Sequence, residues 1–214
     1  MSVKKVTVID YGLGNVFSVC KAFEHLGCKV TLTDNADLLI HSDRIVLPGV
    51  GAFKSAMAEL QKRNLVEPIL TFSKKNKPLL GICLGMQLLL EFSQEFGTHK
   101  GLGLIAGKVE PIPRQIFQGN HRKIPHIGWN DLIVPEGGSW EGTILEGIPE
   151  KTSVYFVHSF NVVPKNPLYR LADATYEGYL ISAAIRKDLL YGCQFHPEKS
   201  SVVGLKILEN FLRV

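Results

Sequence analysis

The 214-residue sequence predicts an α/β fold in which an open, mainly parallel sheet is flanked by helices and carries an antiparallel extension in its C-terminal half. Three observations predict this fold. Short β-branched runs alternate with amphipathic helical patterns in the first half, as in parallel strands joined by crossover helices. Strand candidates in the second half follow one another at meander spacing. A hydrophobic content of 45% with a net charge of only +4 indicates a globular core, and we expect a single domain over residues 1–214.

The first half supplies four strand candidates, each a short apolar run that ends at a turn. They cover residues 3–9, 29–33, 44–47 and 78–82. Apolar residues at helical spacing predict helices between them, over 16–26 and over 52–75 with a break near 64–68. A further helix is predicted at 86–92, directly after the fourth strand. Because strands joined by helices of this length pair in parallel, these elements predict a doubly wound sheet.

From residue 101 onward the pattern changes to short strands separated by turns rich in Gly and Pro. The candidates cover residues 108–111, 122–127, 131–134, 153–157, 168–174, 181–186 and 189–195. The last four have the spacing of an antiparallel meander, and we expect them to extend the same sheet. Apolar residues at helical spacing over 202–212 predict a closing helix.

Charge, hydropathy and cysteine usage exclude several classes of protein. An excess of four positive charges without a window rich in Lys and Arg argues against nucleic-acid binding. The N-terminal apolar run stops at Asp10, too early for a signal peptide, and no stretch reaches the roughly 18 apolar residues of a membrane span. The cysteines form no CxxC pair and lie near no histidine at metal-ligand spacing; they are Cys20, Cys28, Cys83 and Cys193. We therefore expect a cytoplasmic protein with reduced thiols, no metal and no nucleic-acid or membrane partner.

The most informative segment is the pentapeptide 81–85, GICLG, with Cys83 at its centre. It follows a predicted strand and opens a predicted helix, the setting of a nucleophile elbow, in which a tight turn lifts one side chain above the sheet edge. Flanking glycines allow the close backbone approach, and a thiol at a helix N-terminus is biased toward the nucleophilic thiolate. A buried core cysteine is the alternative interpretation. The two glycines and the strand-to-helix context favour Cys83 as a nucleophile.

A base for this nucleophile is indicated near the C-terminus, where His196, Pro197 and Glu198 follow an apolar strand candidate. In an extended chain, residues two apart point to the same side, and a proline disfavours helix at the residue before it. Glu198 can then accept a hydrogen bond from one nitrogen of His196 while the other nitrogen faces a thiol, as in a catalytic triad. A surface ion pair is the alternative; the strand end and the separate cysteine elbow favour the catalytic pair.

An oxyanion site completes this set of predictions. Acyl chemistry at Cys83 generates a tetrahedral oxyanion that needs two backbone N–H donors. The first candidate is the N–H of Leu84, the residue after the nucleophile, and the second must come from a loop at the same sheet edge. The Gly-rich turn PGVG at 48–51 is the available loop, and Val50 and Gly51 are its candidate donors.

With these three elements together, the sequence resembles the class I glutamine amidotransferases of the triad type. The resemblance rests on PGVG (48–51), GICLGMQ (81–87) and QFHPEKS (194–200), and it covers essentially the whole chain. It implies a flavodoxin-like sheet and a triad of Cys83, His196 and Glu198. In that family the cysteine attacks the side-chain amide of glutamine, releasing ammonia and forming a glutamyl thioester that water hydrolyses, and no cofactor takes part.

Within this family, further segments are similar to the glutaminase subunits of imidazole glycerol phosphate synthases, which act in histidine biosynthesis. They are DYGLGN (10–15), KGLGL (100–104), IPHIGWN (124–130) and YFVHSF (155–160). The similarity implies four residues that help to hold the backbone groups of glutamine: Gly49, Gln87, Ser159 and Phe160.

The same similarity implies a partner, a separate (β/α)8-barrel cyclase subunit that uses the ammonia. The residues expected toward its docking face are Asn15, Trp129, Tyr155 and Lys199. In those enzymes the peptide at Val50 reorients before its N–H serves the oxyanion, which implies that turnover depends on the partner. The sequence itself also favours a partner, because it carries no P-loop and no completed dinucleotide fingerprint that would bind an ammonia acceptor.

Three alternatives remain open from the sequence. The segment EFGTHK (95–100) and Cys193 before Gln194 are similar to paralogues that supply ammonia for surface-polysaccharide amino-sugar synthesis, and both interpretations share every catalytic residue. A different thiol enzyme on the same fold, such as a peptidase, is the second. A scaffold with a degenerate site is the third, and the presence of all three triad residues disfavours it.

Overall fold

The structure is a computed structural model that describes residues 3–115 and 121–214. The first half contains β1 (Lys5–Ile9), α1 (Val16–His25), β2 (Lys29–Thr33), α2 (Ala36–His41), β3 (Ile45–Gly49), α3 (Phe53–Lys62), α4 (Val66–Ser73), β4 (Leu79–Cys83) and α5 (Leu84–Leu88). The second half contains β5 (Leu90–Ser93), β6 (His99–Lys100), β7 (Ile105–Pro111), β8 (His126–Asp131), β9 (Ser153–His158), β10 (Phe160–Pro164), β11 (Arg170–Tyr176), β12 (Tyr179–Lys187), β13 (Leu190–Cys193) and α6 (Ser201–Phe211), with short 3-10 helices at Pro167–Tyr169 and Pro197–Lys199. Across the described ranges, none of the helices combines the length and apolar content that crossing a membrane would take.

The central sheet confirms the predicted fold class. In the part of the chain that the structure describes, its seven strands lie in the order β11-β12-β13-β4-β3-β1-β2. The strands β2, β1, β3, β4 and β13 run parallel to one another. At one edge β12 and β11 continue the sheet in antiparallel pairing. The alternating first half therefore forms most of the parallel part, and the C-terminal half supplies the antiparallel extension.

The second half departs from the prediction that the whole meander extends the central sheet. The strand predicted at 153–157 is β9, which forms a separate hairpin with β8, and β7 joins β10, β5 and β6 in a four-stranded sheet. Residues 131–134, predicted as a strand, contribute an isolated bridge between Ile133 and Asp173. Alternating apolar and polar residues identify a strand but not its neighbour, and this explains the wrong sheet assignment.

The helix predicted at 86–92 is wrong because a segment farther along the chain decides the structure here. Helix α5 ends at Leu88, and strand β5 begins at Leu90. The carbonyl oxygens of Leu88 and Leu90 accept hydrogen bonds from the N–H groups of Leu102 and Gly103, at 2.9 and 3.0 Å. Because N–H groups distant in sequence already occupy these carbonyl oxygens, the oxygens are not free to accept the hydrogen bonds that a longer helix would make. The elements α2, β6 and β10 have no counterpart in the sequence prediction.

Hydrophobic layers cover both faces of the central sheet. Residues along β3 alternate between the layers: Val46 faces one, and Ile45 and Leu47 face the other. Helices α1 and α6 contribute apolar side chains to the first layer, and α2, α3, α4 and α5 contribute to the second. The buried strands are therefore apolar on both faces, as expected for a parallel sheet covered by helices.

This topology brings segments that are distant in sequence to one edge of the sheet. Strands β3 and β4 end at Gly49 and Cys83, which are partners in the ladder. Strand β13 pairs with β4 on its other side, and the turn with His196 follows it directly. Ligand sites in open α/β sheets lie beyond the carboxyl ends of the parallel strands. The predicted catalytic residues therefore lie at the edge where a site is expected.

Candidate active site

Cys83 occupies a sharp turn between β4 and α5. Its backbone has φ +54° and ψ −111°, a region that residues other than glycine rarely adopt. Two glycines allow this turn to pack closely. A Cβ on Gly85 would lie 1.8 Å from the carbonyl oxygen of Leu47, and a Cβ on Gly81 would lie 2.6 Å from the oxygen of Gly85. Strained residues of this kind cluster at functional sites.

His196 and Glu198 form a buried pair. His196 Nδ1 lies 2.8 Å from Glu198 Oε1, and 3% and 1% of the two side chains are exposed. The backbone differs from the predicted extended chain, because only His196 is extended and Glu198 lies in the 3-10 helix Pro197–Lys199. The His196 N–H donates to the carbonyl of Tyr155 at 2.9 Å, which fixes the turn to β9. The predicted pair is therefore brought together by a tighter turn than a strand provides.

The second nitrogen of His196 is on the side of the cysteine. His196 Nε2 is buried and has no hydrogen bond of normal geometry within the described residues. The Cys83 thiol nevertheless lies near enough to raise the pKa of the imidazole. Burial alone lowers the pKa of His196. Hydrogen bonding to Cys83 and Glu198, together with their negative charge, outweighs burial and raises this pKa to about 9. The site therefore favours a protonated imidazole at His196, between Cys83 and Glu198.

The variant Glu198→Gln tests this charge state. A histidine titrates near pH 6.5 in an unfolded chain, so protonated His196 stabilises the folded protein fully below pH 6.5 and loses that contribution as the pH rises through about 9. We expect the variant to lose about 3 kcal/mol of unfolding free energy at pH 6.5, because it leaves a buried charge without its partner. Urea unfolding at pH 6.5, near neutrality and at pH 9 measures this loss. A loss of the same size at all three pH values would contradict the assignment.

The loop expected to serve the oxyanion is held against the cysteine turn. The Tyr11 hydroxyl donates to the carbonyl of Pro48 at 2.9 Å. Burial and then the charge of Cys83 raise the pKa of Tyr11, so the phenol keeps the proton that it donates. At Gly49 a Cβ would lie 2.5 Å from the Tyr11 hydroxyl oxygen, so this position has room only for glycine. These contacts fix the loop that continues into Val50.

A cavity of about 350 Å³ opens at this edge of the sheet, and both Cys83 and His196 line it. The other lining residues are Val50, Gly51, Leu84, Gln87, Glu95, Pro125, Val157, His158, Ser159 and Phe160. This set includes the three predicted oxyanion residues and three of the four predicted substrate contacts. The fourth, Gly49, lies behind the wall in contact distance of Tyr11, and Glu198 lies behind His196. The structure thus gathers the predicted residues around one opening.

Glu95 is a cavity residue that the sequence motifs do not single out. It lies just after β5, and its carboxylate accepts a hydrogen bond from the N–H of Phe53 at the start of α3. It is the one carboxylate among the lining residues of this cavity in the described part of the chain. Glu95 belongs to the segment EFGTHK (95–100), but nothing in the sequence indicates that the chain after β5 lies near Cys83.

Two histidines at the cavity wall, His158 in its lining and His126 behind it, also received no role from the sequence. His158 Nδ1 donates to the carbonyl of Phe160 at 2.8 Å, so its Nε2 must accept from His126 Nδ1, which lies 2.9 Å away. Asn130 Nδ2 lies 3.5 Å from His126 Nε2 and completes a one-directional chain of donors. Burial lowers the pKa of His158 to about 3 and that of His126 to about 4, so both stay neutral. This chain fixes the segment that carries Ser159 and Phe160.

The residues predicted for partner docking lie around the hairpin β8–β9 and the neighbouring 3-10 helix. Trp129 and Tyr155 are partners across the hairpin, with ring centroids 6.0 Å apart, and Trp129 is 56% exposed. Lys199 is exposed in the 3-10 helix that carries Glu198. Helix α1 packs against that 3-10 helix, and half-buried Asn15 precedes α1. Their role in docking stays a prediction.

Fold and site together define a class of protein. The sequence model of the class-I glutamine amidotransferase family matches residues 7–214, and the chain belongs to this family. The imidazole glycerol phosphate synthase subunit HisH 1 of Legionella pneumophila (strain Lens) is 52% identical over 210 residues, covering 98% of this chain and 99% of the relative. The corresponding subunit HisH of Aquifex aeolicus (strain VF5) is 47% identical and covers 98% and 96%.

Solved structures share the fold at much lower identity. A structure of PurLQS from Thermotoga maritima is similar with a TM-score of 0.73 and 19% identity, covering 99% of each chain. A glutamine amidotransferase from Thermotoga maritima is similar with a TM-score of 0.61 and 20% identity, covering 98% of this chain and 82% of the other. These likenesses support the arrangement of the sheets and helices.

Proposed function

We propose that this protein is the glutaminase subunit of an imidazole glycerol phosphate synthase. It hydrolyses glutamine to glutamate and ammonia and passes the ammonia to a (β/α)8-barrel cyclase subunit, with which it forms a heterodimer. The observation that carries the proposal is the buried set of Cys83, His196 and Glu198 beside an open cavity. The chain is 43–52% identical to subunits named HisH over nearly its whole length, and this supports the assignment to an imidazole glycerol phosphate synthase.

The first half of the reaction is acyl transfer to Cys83. The thiolate attacks the side-chain carbonyl carbon of glutamine, and the oxygen of the tetrahedral intermediate carries the negative charge. Backbone N–H groups at Leu84 and in the loop of Val50 and Gly51 are the proposed donors to that oxygen. Protonated His196 gives its proton to the departing nitrogen, so ammonia leaves and a glutamyl thioester remains. Glu198 holds His196 in the orientation that this transfer needs.

The second half is hydrolysis of the thioester. Neutral His196 takes a proton from water while the water oxygen attacks the thioester carbon. The carbon–sulfur bond then breaks, its electrons return to the Cys83 sulfur, and glutamate leaves. The proton taken from water leaves His196 protonated for the next cycle, and the raised pKa of His196 lets it keep that proton.

The cavity also offers groups that match the α-ammonium charge and the polar groups of glutamine. Glu95 supplies a carboxylate at the wall, which suits the α-ammonium group of the substrate. Gln87 lines the same wall with its side-chain oxygen available, because its nitrogen donates to Gln194. Ser159 and Phe160 add backbone groups that the histidine chain holds in place.

An apolar strip leads from the cavity to the proposed docking face. Val157 lines the cavity and pairs with Ile127 across the β8–β9 hairpin, and the next outward pair is Trp129 with Tyr155. Ile127 is 58% exposed and Trp129 is 56% exposed. Contiguous exposed apolar side chains of this kind mark protein interaction sites. A partner seated on this strip would adjoin the place where ammonia is released.

Ammonia release from glutamine, measured with and without the barrel cyclase plus its nucleotide substrate, tests the proposal. We expect release to be stimulated by the partner. In Trp129→Ala, about 30-fold more partner is expected to be needed for the same stimulation, because a central aromatic anchor contributes about 2 kcal/mol. Leu38→Ala, which removes a 52% exposed side chain from α2, is the matched control and is expected to behave as the wild type.

Two results would count against the proposal in different ways. No ammonia release, alone or with the cyclase, would overturn the glutaminase activity itself. Release that ignores the cyclase but responds to a sugar-modifying system would keep the glutaminase and favour the surface-polysaccharide paralogue.

A further inference from the structure

Gln194 is a fully buried amide that contacts the reacting sulfur. It follows β13 directly, is 0% exposed, and does not line the cavity. Its side-chain Nε2 lies 3.7 Å from Cys83 Sγ, within reach of a hydrogen bond to sulfur. Its backbone N–H donates to the carbonyl of Ala183 at 2.8 Å, which ties the residue to β12. The side chain is thus held beneath Cys83, on the core side of the thiol.

The orientation of this amide is set by its other partner. Gln87 Nε2 donates to Gln194 Oε1 at 3.0 Å, so the oxygen of Gln194 faces Gln87 and its NH₂ group faces the sulfur. Two amides in series polarise one another, and each bond strengthens the next in a buried environment. The chain of donors therefore runs from Gln87 through Gln194 and ends at Cys83.

We infer that Gln194 is a catalytic residue whose side-chain N–H stabilises the anionic form of Cys83. This inference rests on the proposed function of Cys83 as the nucleophile. On its other side the sulfur lies 3.9 Å from the carbonyl oxygen of Val157, a contact that favours the protonated thiol. The Gln194 N–H favours the opposite charge state, since a hydrogen bond to an anion is stronger than one to a neutral group.

The same N–H serves both halves of the reaction. It stabilises the thiolate that attacks glutamine, and the contact weakens when the sulfur becomes a neutral thioester. When the thioester collapses, the carbon–sulfur bond breaks and negative charge returns to the sulfur, so the N–H stabilises the leaving group. His196 moves protons, whereas Gln194 moves none.

Two variants of similar shape test the inference: Gln194→Met, which removes the donor, and Gln194→Glu, which replaces the donor by an acceptor. The rate of Cys83 alkylation by iodoacetamide is followed against pH by mass spectrometry. We expect the midpoint of the profile to rise by about one pH unit in Gln194→Met, since a charge-assisted hydrogen bond is lost, and further in Gln194→Glu. The profiles of Cys20 and Cys28, measured in the same samples, are expected to be unchanged and serve as internal references.

A separate measurement leaves Gln194 itself unchanged. In the wild type, the ¹⁵N side-chain amide resonance of Gln194 is expected to titrate at the midpoint of Cys83 alkylation, and this titration is expected to vanish in Cys83→Ala. Three results would each overturn the inference. The alkylation midpoints could be unchanged in folded variants, or the amide resonance of Gln194 could fail to titrate. In ammonia release from glutamine, the variants could raise KM for glutamine and leave kcat unchanged. Alkylation needs no glutamine, so these failures are distinct from an absence of ammonia release by the wild type, which would overturn the proposed function.

Discussion

Replacing Cys83 by alanine is expected to abolish ammonia release from glutamine, lowering kcat by a factor of about 10⁴ or more. The structure offers no second sulfur at the cavity, because among the described residues only the thiol of Cys83 lines it. Without that sulfur the thioester cannot form, and hydrolysis would need direct attack by water. The variant is expected to fold, since the residue is small and its removal leaves the glycine turn intact.

A covalent probe gives the same prediction a positive readout. A diazo-ketone analogue of glutamine is expected to add its mass to Cys83 in the wild type and to leave Cys83→Ala unlabelled. Cys28→Ala, which removes a half-buried thiol remote from the cavity, is the control and is expected to keep both activity and labelling. Labelling at Cys20 or Cys28, or ammonia release that persists in Cys83→Ala, would show that the nucleophile lies elsewhere.

Replacing Gly85 by alanine is expected to destabilise the protein by about 3 kcal/mol or more. The new Cβ would lie 1.8 Å from the carbonyl oxygen of Leu47, and because both atoms belong to or are fixed by the backbone, no side-chain rotation relieves the clash. Helix α5 would have to move away from β3, and the Cys83 turn would move with it. Loss of ammonia release is therefore expected together with loss of stability.

Gly27→Ala is the control for this variant. Nothing lies within 4 Å of a Cβ at Gly27, but the residue has φ +76°, so alanine there costs only backbone strain of about 1 kcal/mol. Urea unfolding of both variants separates the two causes. If Gly85→Ala unfolded at the same urea concentration as Gly27→Ala, the close packing of α5 on β3 would be contradicted.

The parallel part of the fold was predictable because its signals are local. The strand Lys29–Thr33 is found with its predicted bounds, and the break between α3 and α4 falls near residue 64 as expected. The errors arise where distant segments decide the structure. The apolar run at 88–90 suits helix and strand alike, and hydrogen bonds from Leu102 and Gly103 decide between them. Likewise, the sequence of β9 alone does not reveal that this strand pairs with β8.

The candidate site shows the same division. The sequence indicates Cys83, His196 and Glu198, because each lies in a short motif whose residue types and spacing are typical of a catalytic site. Glu95 and His158 reach the cavity only because β5 and β9 turn toward this edge of the fold, and no local pattern reveals that. The amide of Gln194 lies within a motif, yet its direction toward the sulfur depends on Gln87, more than one hundred positions away in sequence.

The two neutral histidines at the cavity wall, His126 and His158, set an acid limit for the protein. The ring of His126 is stacked on Phe156 and Tyr176, at centroid distances of 4.9 and 4.0 Å, and the neighbouring His158 is also buried. In the unfolded chain both imidazoles bind protons near pH 6.5, whereas in the folded chain they do so only near pH 4 and pH 3. Folding is therefore opposed increasingly as the pH falls below 6.5. Acidification therefore destabilises the part of the fold that forms the wall of the proposed substrate cavity.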